Sequence, residues 1–432
     1  MTAQLIVIYQ HQIAGVLTKL KNGALHVKYE DTYRLHPEAT PLSINISLSE
    51  SDHQNQSVTN WLWGLLPDSE PVLRRWGKEF SVSISSPFGL LSTPVGEDCP
   101  GAFTFVRPER VEAVLKRKGE VQWLSENEVA KILRELRADA TTWLGSDLTG
   151  RFSLAGAQAK TALLWDGTQW GRPSGAIATS HILKPAIKGL DDHDLNEHLC
   201  LQAAKSVGMT VAGTSIQTFE DQSALVIRRY DRIKSNQSQV RIHQEDLCQA
   251  SGMHPSKKYQ SEGGPSPKSI AARLRLLIPG RVATDSIERF ADALIWNWII
   301  AGPDAHAKNY SLLLAGQDVR LAPLYDIASA LPYKNFDQKK IQLAMKFGKD
   351  YSLDARPSTW LALARDLDIP EDLVRSRAET LVAAAPDAFS KIANQEEIQQ
   401  LSSTLPARLT DAVADRAVKC ATALTRTKPG TS

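Results

Sequence analysis

The segment SIERFADALIWNWIIAG, residues 286–302, limits the fold more than any other stretch of the chain. Ile287, Phe290, Ala291, Leu294, Ile295, Trp298 and Ile299 recur at steps of three and one, which sets them on one helix face and predicts a long helix buried in a core. The helix is expected to stop at Gly302-Pro303, because proline has no N–H to continue the ladder. A polar loop, DAHAKN, follows, and then two short strands, YSLLL and VRLAPL, joined by AGQD. The second strand runs on to Tyr325-Asp326.

At 432 residues, 42% hydrophobic and 23% charged, the chain has the composition of an ordinary globular protein. Its length suggests two or three domains of about 150 residues each. Residues 1–105 open with apolar runs that read as strands (LIVIY, AGVLTKL, ALHVKY, PLSINISL), a Lys21–Gly23 turn among them, followed by a helix at VTNWLWGLL ended by Pro67. Residues 106–150, with VEAVLKRK and ENEVAKILRELRA, read as a helical connector. Residues 151–260 alternate strand patterns (TALLWD, SHILKP, TSIQTF, SALVIRRYD) with one helix, DDHDLNEHLCLQAAKSVGM. Residues 261–432 are expected to be largely helical. The fold class is therefore α+β.

Charge excludes one class of function. Lys and Arg number 50 and Asp and Glu 48, a formal +2, so no basic face is available to neutralise nucleic-acid phosphates. The four cysteines, Cys99, Cys200, Cys248 and Cys420, contain no CxxC pair and read as reduced thiols of a cytoplasmic protein. The apolar run Leu5–Tyr9 lacks the flanks of a signal peptide, and no stretch of 18 apolar residues exists to span a membrane.

Asp304 and Asn309 stand as D-x-x-x-x-N after the buried helix, and Asp326 follows at the far end of the hairpin. Protein kinases carry a catalytic loop, a hairpin and a metal-binding Asp in this order. That chemistry asks for a carboxylate to accept a hydroxyl proton, and for an amide oxygen and a second carboxylate to hold Mg²⁺. The plainer reading makes Asp304 and Asn309 turn residues and Asp326 a helix cap. Upstream, Lys184 lies in the apolar strand HILKP, where a long cation calls for an anion, and Glu197 on the next helix is a candidate ion-pair partner. A solvated edge-strand lysine and a surface glutamate are the alternative. The small residues Ser153, Leu154, Ala155, Gly156, Ala157 and Gln158, closed by Lys160, offer backbone N–H groups that could cradle phosphates, although they match no standard phosphate-loop pattern and also suit a simple turn. Arg229, Tyr230 and Asp231 end a strand that either lines an adenine pocket or belongs to a core. His306 and Lys308 share the loop of Asp304; His306 either orders that loop or fills a turn.

With these residues in order, the sequence closely resembles the HipA-type serine/threonine kinases, toxins of bacterial toxin–antitoxin modules. The resemblance is carried by GLLPDSEP, GAFTF, FSLAGAQAKTALL, HILKP, RRYDR, HQEDLCQASG, SEGGP, PDAHAKNYS and PLYDIASA. It implies a protein-kinase-like two-lobe fold, in which residues 151–260 form the nucleotide-binding lobe and 261–432 the helical catalytic lobe behind an N-terminal β-rich subdomain. It implies Asp304 as catalytic base, Asn309 and Asp326 as Mg²⁺ ligands and Lys184 as a contact to the phosphates of ATP. The Ser153–Lys160 loop, Arg229–Asp231, His306 and Lys308 complete the nucleotide-contacting set. Ser153 matches a serine that such kinases autophosphorylate, ejecting the loop. The expected partners are a helix-turn-helix antitoxin that carries the DNA contact and a protein substrate, typically an aminoacyl-tRNA synthetase.

The chain departs from that pattern at Ala305 and Ala159, where the family commonly has Gly and Glu. A positive φ at 305 would strain an alanine there. Two rival readings stand beside the kinase. A catalytically silent pseudokinase would keep the antitoxin-binding surface and lose transfer. A metal hydrolase would use DDHDLNEHL, but its spacing fits neither HExxH nor HxxEH, and His193 and His198 are read as helix-surface residues.

Overall fold

A computed structural model describes residues 3–54, 56–145, 150–235 and 238–425. The backbone forms two compact units, the first made of Met1–Ile187, Ser215–Ser256 and Ser311–Val319, the second of Lys188–Thr214, Lys257–Tyr310 and Arg320–Ser432. Among the described residues no helix is long and apolar enough to cross a membrane.

The first unit begins with an antiparallel sheet of β1 (Ala3–Tyr9), β2 (Gln12–Lys19), β3 (Leu25–Tyr29), β4 (Asp52–His53) and β5 (Phe103–Val106), in the order β4-β3-β2-β1-β5. Alternate residues Leu5 and Val7, and Leu25, Val27 and Tyr29, are buried in the main core, while Ile8 and Val106 are buried in a smaller cluster with Val114. The helix Gln56–Gly64 adds Val58, Trp61 and Leu62 to the same core. Residues 41–48, expected as a strand, form turns with one isolated bridge, Ser43 to Ile46. Side chains take their backbone groups instead: the Leu42 N–H donates to the Tyr29 hydroxyl (2.8 Å), the Ile44 N–H to Glu245 Oε1 (2.9 Å), and Ile46 O accepts from the Tyr29 hydroxyl (2.6 Å). Buried backbone groups need partners, and here tertiary ones outcompete a ladder.

A second sheet contains β6 (Val121–Leu124), β7 (Thr161–Trp165), β8 (Trp170–Pro173), β9 (His181–Lys184), β10 (Thr214–Phe219) and β11 (Gln222–Arg228), in the order β10-β11-β9-β7-β8-β6. β6 comes from the stretch expected to be a helical connector. That stretch does hold the helices Val111–Leu115 and Glu126–Ala138, the latter begun by a Ser125–Glu128 capping box, but its strand pairs with β8 at the sheet edge. A hairpin of β12 (Arg232–Ser235) and β13 (Ser238–Arg241) leads to β14 (His243–Asp246), which pairs with β15 (Ser311–Ala315).

The second unit is built on the helix Gly280–Ile299. All seven periodic residues read from the sequence are buried, and Trp296 and Asn297 are buried as well, so the helix is enclosed on nearly every side. Trp296 stacks on Phe389 (5.9 Å), and Trp298 lies between Phe347 and Trp360 (5.3 Å each). Full burial of a large apolar side chain is worth about 1.5–3 kcal/mol. This cluster therefore makes the helix a fixed mount for the loop at its end. The helix His193–Ser206 packs on Glu371–Ala393 and Leu405–Thr425. His198, expected on its surface, is buried, its Nδ1 lies 3.0 Å from Thr214 Oγ1, and burial pushes its pKa down to about 4. His193 is half-buried, with its ring stacked on Tyr333.

Candidate active site

The loop after the core helix is closed by its own hydrogen bonds. The helix ends where Ala301 takes φ 49° and the Gly302 N–H returns to Asn297 O (2.8 Å). Asp304 O then accepts from the His306 N–H (2.8 Å) and from Asn309 Nδ2 (2.7 Å), while the Asn309 N–H donates to His306 O (2.9 Å). The loop thus fixes Asp304 and Asn309 relative to each other, and leaves the Asp304 side chain 63% exposed. Ala305 is absent from the residues with positive φ, so the departure from glycine strains nothing.

One partner of Asp304 was not legible in the sequence. The Tyr259 hydroxyl donates to Asp304 Oδ1 at 2.5 Å, and its ring meets that of His306 edge-on at 5.0 Å. His306 Nε2 lies 4.0 Å from the same carboxylate oxygen. Gly264 permits this placement: a Cβ there would sit 2.2 Å from Lys257 O and 2.7 Å from Tyr259 O, so only glycine lets the turn close. The result is an accessible carboxylate with a set orientation, as a general base requires. His306 and Lys308 are themselves buried within the loop.

Asp326 follows β16 (Asp318–Leu321). The Tyr325 hydroxyl donates to Lys308 O (2.7 Å), which joins the residue before Asp326 to the residue before Asn309. Downstream, Ser329 Oγ donates to Ile300 O (2.6 Å) and Asn196 bonds both the N–H and the carbonyl of Ser329, at 3.1 and 2.7 Å. These bonds hold Asp326 at φ 58°, a left-handed conformation that costs a non-glycine residue about 1–2 kcal/mol. Because Asn309 Nδ2 is spent on Asp304 O, its amide oxygen is turned the other way. An amide oxygen and a carboxylate are the donor types that a hard divalent cation takes.

The other expected residues, apart from Glu197, belong to the first unit. Lys184 is 4% exposed and lies on β9, paired on both sides by β11 and β7, which excludes a solvated edge-strand lysine. Glu197, on the helix of the second unit, is also buried, so it is not a surface glutamate. The register sets Thr161 opposite Leu183, bringing the end of the Ser153–Lys160 loop level with Lys184. Within that loop Ser153 is fully buried, its Oγ donating to Leu65 O (2.7 Å) and its N–H to Asp98 O (2.9 Å). Lys160 Nζ donates to Ala155 O (2.6 Å) over the ring of Trp143, and Gly156 turns at φ 99°. Leu154 is buried, Ala155, Gly156 and Gln158 are half-buried and Ala157 is exposed, while Ala159 packs on the core.

Arg229 and Asp231 enter a buried ionic cluster. Arg229 and Arg232 both reach Asp231 Oδ2 (2.9 and 2.7 Å), and Arg229, Arg232 and Arg241 converge on Asp98 at 3.5, 2.9 and 3.2 Å. Burial alone would raise the Asp98 pKa, but the three guanidinium groups and Thr179 hold it at about 2. The side chains of Arg229 and Asp231 are thereby engaged, and what this segment can offer an adenine is backbone. The Tyr230 hydroxyl bonds Gln244.

The chain matches the HipA N-terminal domain over residues 5–106 and the HipA-like C-terminal domain over residues 152–389. It is 32% identical to "Putative kinase Y4mE" of Sinorhizobium fredii over 94% of this chain and 96% of that one. It is 28% identical to the serine/threonine-protein kinase toxin HipA of Shewanella oneidensis, over 84% of each. Its fold matches a chain of the Shewanella oneidensis complex of HipA, HipB and operator DNA with a TM-score of 0.82 at 23% identity, covering 97% of this chain and 98% of that one.

Proposed function

Since this chain belongs to the HipA family and is a serine/threonine protein kinase, we propose that it is the toxin of a toxin–antitoxin pair that phosphorylates a component of translation and, in time, its own Ser153. The observation that carries the reading is the loop bearing Asp304, exposed, hydrogen-bonded by Tyr259 and tied to Asn309. Asp304 accepts the proton of a substrate serine as its oxygen bonds the γ-phosphorus of ATP and the bond to ADP breaks. Lys184 and the N–H groups of the Ser153–Lys160 loop grip the phosphates, and Arg229–Asp231 flank the adenine through the backbone. Asn309 and Asp326 would supply oxygens to Mg²⁺, which when bound would offset phosphate charge. His306 and Lys308 hold the loop in register, and Glu197 is the proposed partner of Lys184.

Ser153 supports a self-limiting switch. Its hydroxyl occupies a buried site, so the loop must leave before the serine can be modified. A phosphate of about −2 charge could not return to that site without heavy desolvation cost, so modification would trap the loop outside. The substrate proposed is an aminoacyl-tRNA synthetase. A helix-turn-helix antitoxin would carry the DNA contact, a division supported by the chain's formal charge of only +2.

The test is phosphosite mapping after incubation with ATP and Mg²⁺. Phosphate on Ser153, absent in Ser153→Ala, is expected. Phosphate confined to other residues would remove the switch.

A further inference from the structure

Apart from these residues, the first unit encloses a cavity of about 650 Å³ between the β1–β2 turn, β5, the segment 114–123, β7 and the β12–β13 hairpin. That is the size of a small-molecule site. Trp123, Trp165, Leu164, Val121 and Ile177 supply flat and apolar wall, and Arg117, His11, Lys234 and Arg241 supply the basic part.

The charges do not balance. Two acids line the cavity, and both are committed: Glu97 is held by two bonds from Arg110 (3.0 and 2.8 Å), and Asp166 accepts the Thr168 and Gln169 N–H groups of its own turn (2.7 and 2.9 Å). Arg117 is exposed at the rim and meets the His11 ring, which is no counter-charge. Arg241 is 8% exposed and shares Asp98 with Arg229 and Arg232, so three guanidinium groups face two carboxylates, Asp98 and Asp231. Gln239 Oε1 is buried with no hydrogen-bond partner among the described residues, and Gln239 and Arg241 both line the cavity. The β1–β2 turn joins the two arginines, since Gln10 bonds Arg241 O (2.5 Å) and His11 meets Arg117. An excess buried cation beside apolar walls asks for an anion with an apolar body.

We propose that this cavity binds a small organic anion with a flat apolar body, such as an aromatic carboxylate, its charge toward Arg117 and Arg241 and its ring system toward Trp123 and Trp165. None of the residues that line the cavity is among those assigned to the nucleotide, although Arg241 shares Asp98 with Arg229, and the ligand needs no phosphate.

The probes are 2-naphthoate and its neutral isostere 2-naphthamide, titrated by calorimetry and by quenching of tryptophan emission. The full-length protein is expected to bind one naphthoate saturably, at least tenfold tighter than naphthamide, with excess ATP failing to displace it. Arg117→Gln, at the exposed rim, is expected to weaken naphthoate at least tenfold and leave naphthamide unchanged. Trp123→Ala is expected to weaken both, with unliganded melting temperatures confirming that the variants fold. Equal affinity for the two probes, indifference of naphthoate to Arg117→Gln in a folded variant, or no saturable binding at millimolar naphthoate would each overturn the proposal.

Discussion

Arg241→Met is expected to leave the first unit as stable as before or more so, whereas Asp98→Asn is expected to destabilise it severely, although both break the same contact. Burial pulls the Arg241 guanidinium from its ordinary 12.5 down to about 10, against the attraction of Asp98 and with the help of Arg232 and Arg229. At about 1.36 kcal/mol per pH unit, this places roughly 3 kcal/mol against the charged form. Because the folded value lies below the unfolded one, that penalty acts in full below about pH 10 and is relieved as pH rises toward 12.5. That penalty is already net of the 3.2 Å contact with Asp98; methionine removes the charge and keeps most of the stem's packing, so allowing for imperfect packing the net change is about 0 to +2 kcal/mol. Asp98→Asn instead leaves three guanidinium groups facing Asp231 alone, and breaking a buried pair in this way costs about 3–5 kcal/mol, a large share of the roughly 5–15 kcal/mol that holds a protein folded. Urea unfolding at pH 7, followed by tryptophan emission, measures both. Arg241→Met costing more than about 2 kcal/mol, or Asp98→Asn costing less than about 1, would refute the charge count.

Tyr259→Phe removes the donor to Asp304 Oδ1, a bond to an exposed carboxylate worth about 1–2 kcal/mol, so kcat is expected to fall about 5- to 30-fold with the KM for ATP unchanged; an unaltered kcat would deny Tyr259 a positioning role. His243 and His198 are buried, and burial lowers both to about 4 from 6.5. The unfolded chain therefore binds more protons between those values, and stability is expected to rise with pH from about 4 to 6.5. A melting temperature that stays flat from pH 6.5 to 4.5 would contradict this.

Periodicity carried what is local. The helix over Gly280–Ile299 was legible because a buried helix needs apolar residues at steps of three and four, and the strands HILK and SALVIR because apolar residues fill both faces of a central strand. Residues 41–48 misled because their alternation fits a strand, while Tyr29 and Glu245, distant in sequence, bind their backbone. VQWL offers four residues and little pattern, so β6 was hidden in a charged, helical stretch. His198 looked like a surface residue because its helix carries polar groups on every face, and burial came from tertiary packing. In the site, the order of Asp304, Asn309 and Asp326 was visible in the spacing. Tyr259 was not, since nothing in KKYQSEGGP marks it as the partner of a residue 45 positions away. The ionic cluster was equally out of reach: Asp98 and Arg232 stand 134 residues apart, and only the fold shows that RRYDR faces inward.

The role proposed for Asp304, taking the proton in phosphoryl transfer, is tested by label transfer from γ-labelled ATP, measured for the wild type and Asp304→Asn alongside their ATP affinities. Asp304→Asn is expected to keep its fold and most of its ATP affinity and to lose transfer by about 10²-fold or more. Transfer at the wild-type rate in that variant would contradict it.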